Sequence, residues 1–373
     1  MTAAEAVAAV LAGSSAPRGA VAGVATAAGR DISAGGSADL LGTPVTTATA
    51  FDIASVSKVA ATTTAILRLV SRGELRFEDH VDRFLPRTHC APETTVRHLL
   101  HHRAGLWEWQ PLYLDRAHTD AADAADALPL RYGLDEAHHY SDLGFMLLGR
   151  IVSVVTGLPL DDAVRELVTA PLGLDRTGYG PAVTPVASSA IGDAAERRMV
   201  ATGEPYPILI PVTDPADFAW REGEINGVVN DGNCFHAYGG VAGHAGVFST
   251  ADDLLTLGMA LATPDRHPEL WHPQLVAELF RDGPDQGQAL GWRSRTALMG
   301  GLETRMLWHP GYTGCALGVI PETASTPGAA VVLLSNRLFA AEPATTETLW
   351  HTALPALLDD QIIFRDTERT RTP

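Results

Sequence analysis

Apolar and polar residues alternate with a helical period over much of this chain. In the stretch VSKVAATTTAILRLVSRGEL (residues 56–75), Val59, Ile66, Leu67 and Val70 recur at helix spacing, and Gly73 marks the stop. Segments 95–102, 141–156, 160–170, 250–262 and 345–358 predict further helices, as does the alanine-rich start MTAAEAVAAVLAGSS. Residues 18–32 are small, β-tolerant and broken by glycine, which predicts one or two strands. Four more strands are predicted at 288–292, 305–311, 315–320 and 329–335. Between 76 and 180 strand signals are few. Residues 181–245 are rich in Pro, Gly, Asn and Asp and lack a period. A loop that long implies a cover over a functional site.

Strands and helices thus occupy both ends, with a helical block between them. The expected class is α+β: an antiparallel sheet with helices on both faces, formed by residues 1–75 and 245–373. An all-helical subdomain at 76–180 is inserted, and 181–244 is a long segment covering the site. A length of 373 residues, at about 150 per domain, agrees with two units or one unit with a large insert. Ligand sites favour the seam between such parts.

Composition narrows the function classes. Hydrophobic residues make up 46% and charged residues 19%, a globular balance. With 27 basic against 44 acidic residues the formal charge is −17. Such a surface repels phosphate backbones and anionic lipid headgroups, so neither nucleic acid nor membrane is an expected partner. No apolar run approaches the length of a membrane span. The N-terminus carries Glu5 and no basic stretch, so it reads as the helix of a cytoplasmic protein. Cys90, Cys234 and Cys315 are scattered, with no CxxC pair, and predict reduced thiols.

Of the 27 basic residues, 26 are arginine and one is lysine, Lys58. Under a drift that favours arginine, a surface lysine is easily replaced. A lysine that must exchange its proton is not, because a guanidinium stays charged. Ser55 stands three residues before it, so at a helix start the two share a face. A serine there lies at the positive end of the helix dipole, where an oxyanion is stabilised. An amine can serve as its base if an apolar cleft or neighbouring cations lower the lysine pKa. The bland alternative is a capping serine beside a solvated lysine.

Two further motifs have chemical potential. Tyr140-Ser141-Asp142 opens the helical stretch LGFMLLGRIVSVV, with Ser141 or Asp142 as cap. Tyr140 is placed to enter the seam and shuttle a proton; otherwise it is an ordinary half-buried tyrosine. In Trp308-His309-Pro310-Gly311-Tyr312 a proline inside an apparent strand predicts an edge strand, and Gly311 admits close approach by a ligand. A backbone N–H there, at Tyr312, completes an oxyanion hole with that of Ser55. Trp107 and Trp109 fall in an expected rim loop and either shape the substrate or fill gaps.

Other chemistries find no support. Serine precedes Lys58 where a phosphate loop needs glycine, and GxSxG and HExxH are absent. The 14 histidines show no metal-ligand spacing, so no metal and no cofactor are expected.

Together these motifs resemble the serine β-lactamase and penicillin-binding-protein superfamily, in its class C β-lactamase, DD-peptidase and esterase branch. FDIASVSK is similar to the family's nucleophile motif, YSDLGFMLLGRIV to its tyrosine motif and HPGYTG to its closing-strand motif. VRHLLHHRAGL, GGVAGHAGVFSTADDLLTL, ALGW and VVLLSNR fit the same branch, so the resemblance spans roughly residues 18–357. It implies the β-lactamase/transpeptidase-like fold, with Ser55 as nucleophile, Lys58 as its base and Tyr140 as the third catalytic group. Substrate-binding roles follow for Asp142, His309, Gly311, Trp107 and Trp109.

Three departures shape the expected activity. Asp142 stands where β-lactamases usually have asparagine, and an ionised carboxylate cannot donate to a lactam carbonyl. His309-Pro310 replaces Lys-Thr, which removes a fixed cation and a hydroxyl. The chain also lacks an export signal. The reading is therefore a cytoplasmic transacylase or esterase, of the kind that tailors secondary metabolites. Its partners are a small ester or amide donor and a small amine or alcohol acceptor, with water as the competing acceptor. A β-lactamase, a DD-peptidase, a non-catalytic binding protein on the same fold and a metal-dependent hydrolase are the remaining alternatives.

Overall fold

The computed structural model describes residues 2–118, 120–181, 184–211, 218–299, 302–358 and 363–364. The chain begins with α1 (Ala3–Val10), capped by Thr2, whose side chain accepts from Glu5 N while Glu5 reaches back to Thr2 N. Strands β1 (Gly19–Thr26) and β2 (Gly29–Gly36) form a hairpin. After β3 (Phe51–Asp52) come helices α2 (Thr64–Ser71), α3 (Val96–Leu100), α4 (Ala121–Ala127), α5 (Asp142–Thr156), α6 (Leu160–Val164) and α7 (Ala170–Leu172). Then follow β4 (Gly178–Tyr179), β5 (Ala190–Ile191), α8 (Ala194–Thr202), β6 (Glu224–Ile225), β7 (Val247–Ser249), α9 (Ala251–Ala262) and α10 (Pro273–Leu279). The chain closes with β8 (Arg293–Met299), β9 (Leu302–Pro310), β10 (Ala316–Ile320), β11 (Ala329–Ser335), α11 (Thr346–Leu357) and β12 (Ile363–Phe364).

The main sheet has the order β12-β8-β9-β10-β11-β1-β2, with each neighbouring pair antiparallel. The two termini therefore build one sheet. Strand β11 is buried along its whole length, and its alternation shows the layers. Ala329, Val331 and Leu333 pack with α1 and α11, whereas Ala330, Val332 and Leu334 pack toward α9 and the helical region. Helices thus cover both faces, as expected of this α+β class. A second sheet, β3-β7-β4, joins the start of the helical region to the segment before α9.

Three sequence expectations are corrected. Residues 288–292 are a turn, with a Gln288–Arg293 bridge, and the strand starts at Arg293. That apolar run is buried because it packs under the helices: Ala289, Leu290 and Trp292 belong to the core. Strand β9 is interior, not an edge. Its pairing with β8 ends at Trp308, so His309 and Pro310 extend past the neighbour and the missing proline N–H interrupts no ladder there. Finally, the covering segment is not one loop. It holds α8, the β5–β6 pair and a helical turn at Asn233–Ala237. These elements are too short to leave a period in the sequence.

Candidate active site

The nucleophile turn begins where β3 ends. Phe51 and Asp52 are buried and pair with Ser249 and Phe248 of β7. Ala54 then adopts φ +47°, a left-handed conformation that is costly for alanine. Asp52 holds it there: Oδ1 accepts from Ala54 N at 2.8 Å, and Oδ2 accepts from Asn230 N at 2.6 Å. Burial nonetheless pushes the Asp52 carboxyl up to about 6, against these two donors. A tight 3₁₀ turn (Ala54–Val56) and a wide π turn (Lys58–Thr63) carry the chain into α2. Ser55 and Lys58 share a face, and Lys58 Nζ donates to Ser55 Oγ at 3.0 Å.

Lys58 is completely buried. Its ammonium also donates to His244 O at 3.2 Å, pairs with Asp142 Oδ1 at 2.6 Å and lies 5.0 Å from the centroid of the Tyr140 ring. Burial pushes its pKa down, but the charges of Asp142 and then Tyr140 outweigh that and raise it. The expectation of a lysine with lowered pKa is thereby corrected. The charges that act on it most strongly are those of Asp142 and Tyr140, and a carboxylate from the start of another helix holds its proton.

Tyr140 stands just ahead of α5. Ser141 is the cap of this helix: its Oγ accepts from Gly144 N at 3.1 Å. The Tyr140 ring packs on His102, with centroids 4.7 Å apart, and faces His309 at 6.1 Å. His102 is buried, and its Nδ1 accepts from Ser141 N at 3.0 Å. Burial, with His138 and Lys58 nearby, holds His102 well below its ordinary value, so the ring is neutral. His309 is buried on the same face of β9 as Leu307. Burial and Lys58 keep it neutral as well.

The loop after β9 is tied to the nucleophile turn. A side chain on Gly311 would stand 2.3 Å from Ile53 O, and Thr313 Oγ1 donates to Asp52 O at 2.7 Å. The glycine is required by the close approach of the protein's own backbone. Tyr312 is 47% exposed, and its carbonyl accepts from Arg337 Nε at 2.7 Å.

The rim and the covering wall interlock. Trp107 is half-buried, with Nε1 on Pro129 O at 2.9 Å and Arg131 over its ring. Trp109 is buried, so of the two tryptophans only Trp107 keeps surface for a ligand. Gln110 donates to Pro207 O and accepts from Leu209 N and Ile210 N. Asn233 bonds Leu112 N and Gln110 O. Tyr206 of the wall is pushed up to about 12 by burial and by the charges of Asp142 and Tyr140, which places it beside the site. Behind Lys58, His244 Nε2 pairs with Asp231 Oδ1 at 2.9 Å. Sequence reasoning missed Asp52, His102, Tyr206 and the Asp231–His244 pair. Asp52, His102 and His244 do lie inside three of the segments that carry the resemblance, the one signal that pointed to them.

Known proteins resemble the chain over most of its length. Residues 5–353 match the Beta-lactamase family. A putative D-alanyl-D-alanine carboxypeptidase of Escherichia coli K12 is 30% identical over 318 residues, 78% of this chain and 70% of that protein. The solved structure of EstCE1, a hydrolase with promiscuous acyltransferase activity, superposes with a TM-score of 0.64 at 25% identity, covering 92% of this chain and 94% of the other. A D-amino acid amidase from Ochrobactrum anthropi SV3 gives a TM-score of 0.64 at 21% identity, covering 91% and 94%, which is a likeness of fold. With residues 5–353 matched and the fold shared, this chain belongs to the Beta-lactamase family, the serine hydrolases and acyltransferases.

Proposed function

We propose that this protein transfers an acyl group from a small ester or amide to an amine or alcohol, through an acyl-Ser55 ester, in the cytoplasm as a tailoring step of secondary metabolism. The observation that carries this reading is Lys58 Nζ at 3.0 Å from Ser55 Oγ and 2.6 Å from Asp142, with the Tyr140 ring 5.0 Å from the same ammonium.

A protonated lysine cannot simply accept the serine proton, so the three groups act as a relay. Ser55 Oγ attacks the acyl carbon as its proton passes to Lys58. Lys58 yields a proton to Tyr140, and Tyr140 yields one to the leaving oxygen or nitrogen. The Oγ–C bond forms, the bond to the leaving group breaks, and Lys58 begins and ends as an ammonium. The backbone N–H groups of Ser55 and Tyr312 face the developing oxyanion. The acceptor's proton retraces the relay when the acyl ester is resolved. Neutral His309 leaves no fixed cation for a substrate carboxylate, which disfavours cell-wall peptides and penicillins. EstCE1 is described as a hydrolase, and this supports water as the second candidate acceptor.

The test is covalent labelling. A fluorophosphonate should add to Ser55, and an intact-mass shift equal to the acyl group should follow incubation with a small activated ester. An adduct confined to another serine would sink the assignment.

A further inference from the structure

The Lys58–Asp142 ion pair has a direction. Lys58 is fully buried, whereas the Asp142 side chain keeps 17% of its surface exposed. Asp142 Oδ1 is buried against Lys58, and among the described residues Oδ2 accepts no hydrogen bond. The ammonium is already surrounded by Ser55 Oγ, His244 O and Asp142 Oδ1, all within 3.2 Å, and none of its surface is exposed. The exposed end of the pair is therefore its negative end, and its positive end is hidden.

The neighbouring charges do not reverse this polarity. His102 and His309 are neutral, for the reasons given above, and burial lowers His138 as well. Arg293 reaches His309 and His138 with its charge, but it packs over Trp308 on the face of β9 opposite His309 and pairs with Glu347 at 3.6 Å. Arg131 is engaged by Glu108 at 2.6 Å, and Arg103 by Asp135 and Asp285 at 2.6 Å each. The chain as a whole carries −17, a field that draws cations toward its clefts.

We propose that Asp142 is the specificity-determining group and that the preferred donor carries an ammonium on the carbon next to the attacked carbonyl, as in an aminoacyl ester or amide. This rests on the acyl-Ser55 reading and adds the substrate class. Ser55 Oγ and Asp142 Oδ1 lie against the same lysine nitrogen, so two short contacts separate them. An amino group one carbon from the reacting carbonyl spans that gap, and Asp142 Oδ2 is a carboxylate oxygen free to accept it. A substrate carboxylate in the same place meets Asp142 instead, with no donor to offset the repulsion.

An isosteric series tests it. Alanyl, isobutyryl and methylmalonyl esters of one phenol place an ammonium, a methyl group and a carboxylate on the same carbon. After division by the uncatalysed rate of each ester, kcat/KM of the better alanyl enantiomer should exceed that of isobutyryl by about tenfold, the worth of one partly desolvated ion pair. Methylmalonyl should be the poorest. In Asp142→Asn all rates fall with the loss of the lysine's counter-ion, but the alanyl-to-isobutyryl ratio should collapse toward one. Loss of the ratio alone separates charge selection from a structural role. The wild-type series decides the matter even if that variant does not fold. Isobutyryl or methylmalonyl preferred over both alanyl enantiomers would overturn the inference while leaving the acyl-Ser55 reading in place. If no ester acylates Ser55, both fall.

Discussion

Asp52 holds Ala54 in the left-handed turn that delivers Ser55: its Oδ1 accepts the Ala54 N–H at 2.8 Å while Oδ2 anchors Asn230 of the wall. One carboxylate thus ties the nucleophile turn to the segment that covers it. Asparagine can replace only one of the two acceptors, and its NH₂ then faces an N–H donor. A buried donor left unpaired costs about 1–3 kcal/mol. We expect Asp52→Asn to slow fluorophosphonate labelling of Ser55 by about tenfold or more. Unchanged labelling would show that the turn holds without the carboxylate.

Gly311 packs backbone to backbone against that same turn. In Gly311→Ala the new Cβ would stand 2.3 Å from Ile53 O, and neither partner is a flexible side-chain end. The strand end must move away from Ser55. We expect a loss of about 1–3 kcal/mol in stability, from denaturant titration, together with a marked drop in acylation rate. A variant with full activity would mean that the β9 end is not needed to shape the site.

Tyr140→Phe separates chemistry from packing. The ring would still rest on His102 and face His309, so stability should change little, while relay catalysis should fall by about 10²–10⁴. Lys58→Met behaves differently, because it strands Asp142 without its counter-ion. Both acylation and stability should drop, the latter by about 3–5 kcal/mol. Equal thermal shifts in the two variants would contradict this division of roles.

The wall carries its own pH dependence. Glu196 is half-buried, accepting from Tyr113 Oη at 2.6 Å and Gly232 N at 2.9 Å. Burial, reinforced by the charge of Asp231, pushes it up to about 7. The folded protein then keeps a proton that the unfolded chain has lost. The stability this contributes is present below the ordinary glutamate pKa and is lost as pH rises through about 7. We expect the Tm of the wild type to fall across this window relative to Glu196→Gln, whose side chain stays neutral. The difference amounts to a few kcal/mol, at about 1.4 kcal/mol per pKa unit. Parallel Tm curves for the two proteins would rule out titration of Glu196 there.

The pairing of Ser55 with Lys58 was legible because both lie three residues apart on one helical turn, and because Lys58 is the sole lysine. Helices α2, α5, α9 and α11 were legible from their period, since each buries one face against the sheet or its neighbours. The protonation of Lys58 was not. It depends on Asp142, which is distant in sequence and arrives at the start of another helix. Nor was β9 legible as interior, because the preceding strand was expected at 288–292, whereas β8 starts at Arg293 and pairs with β9 right up to Met299 and Leu302. The wall elements were hidden for a different reason. They are held by side chains bonding backbone, as Gln110 and Asn233 do, and such bonds leave no hydrophobic pattern.

Those same bonds bear on the fate of an acyl-enzyme. An ester at Ser55 can be resolved by water or by a bound nucleophile, and bulk water is far more concentrated than any metabolite. A transferase must therefore exclude water and hold its acceptor in place. Gln110 bonds the wall backbone at Pro207, Leu209 and Ile210, beside Tyr206, and Trp109 is buried in the adjoining rim. We expect millimolar amines or alcohols to divert the acyl group from the free acid when a small ester is consumed. Gln110→Ala should loosen the wall and raise the share of free acid at constant acceptor concentration, with less effect on total ester consumption. Product analysis by mass spectrometry reads both. If free acid is the sole product at every acceptor concentration while the ester is turned over efficiently, water is the acceptor and the protein is an esterase.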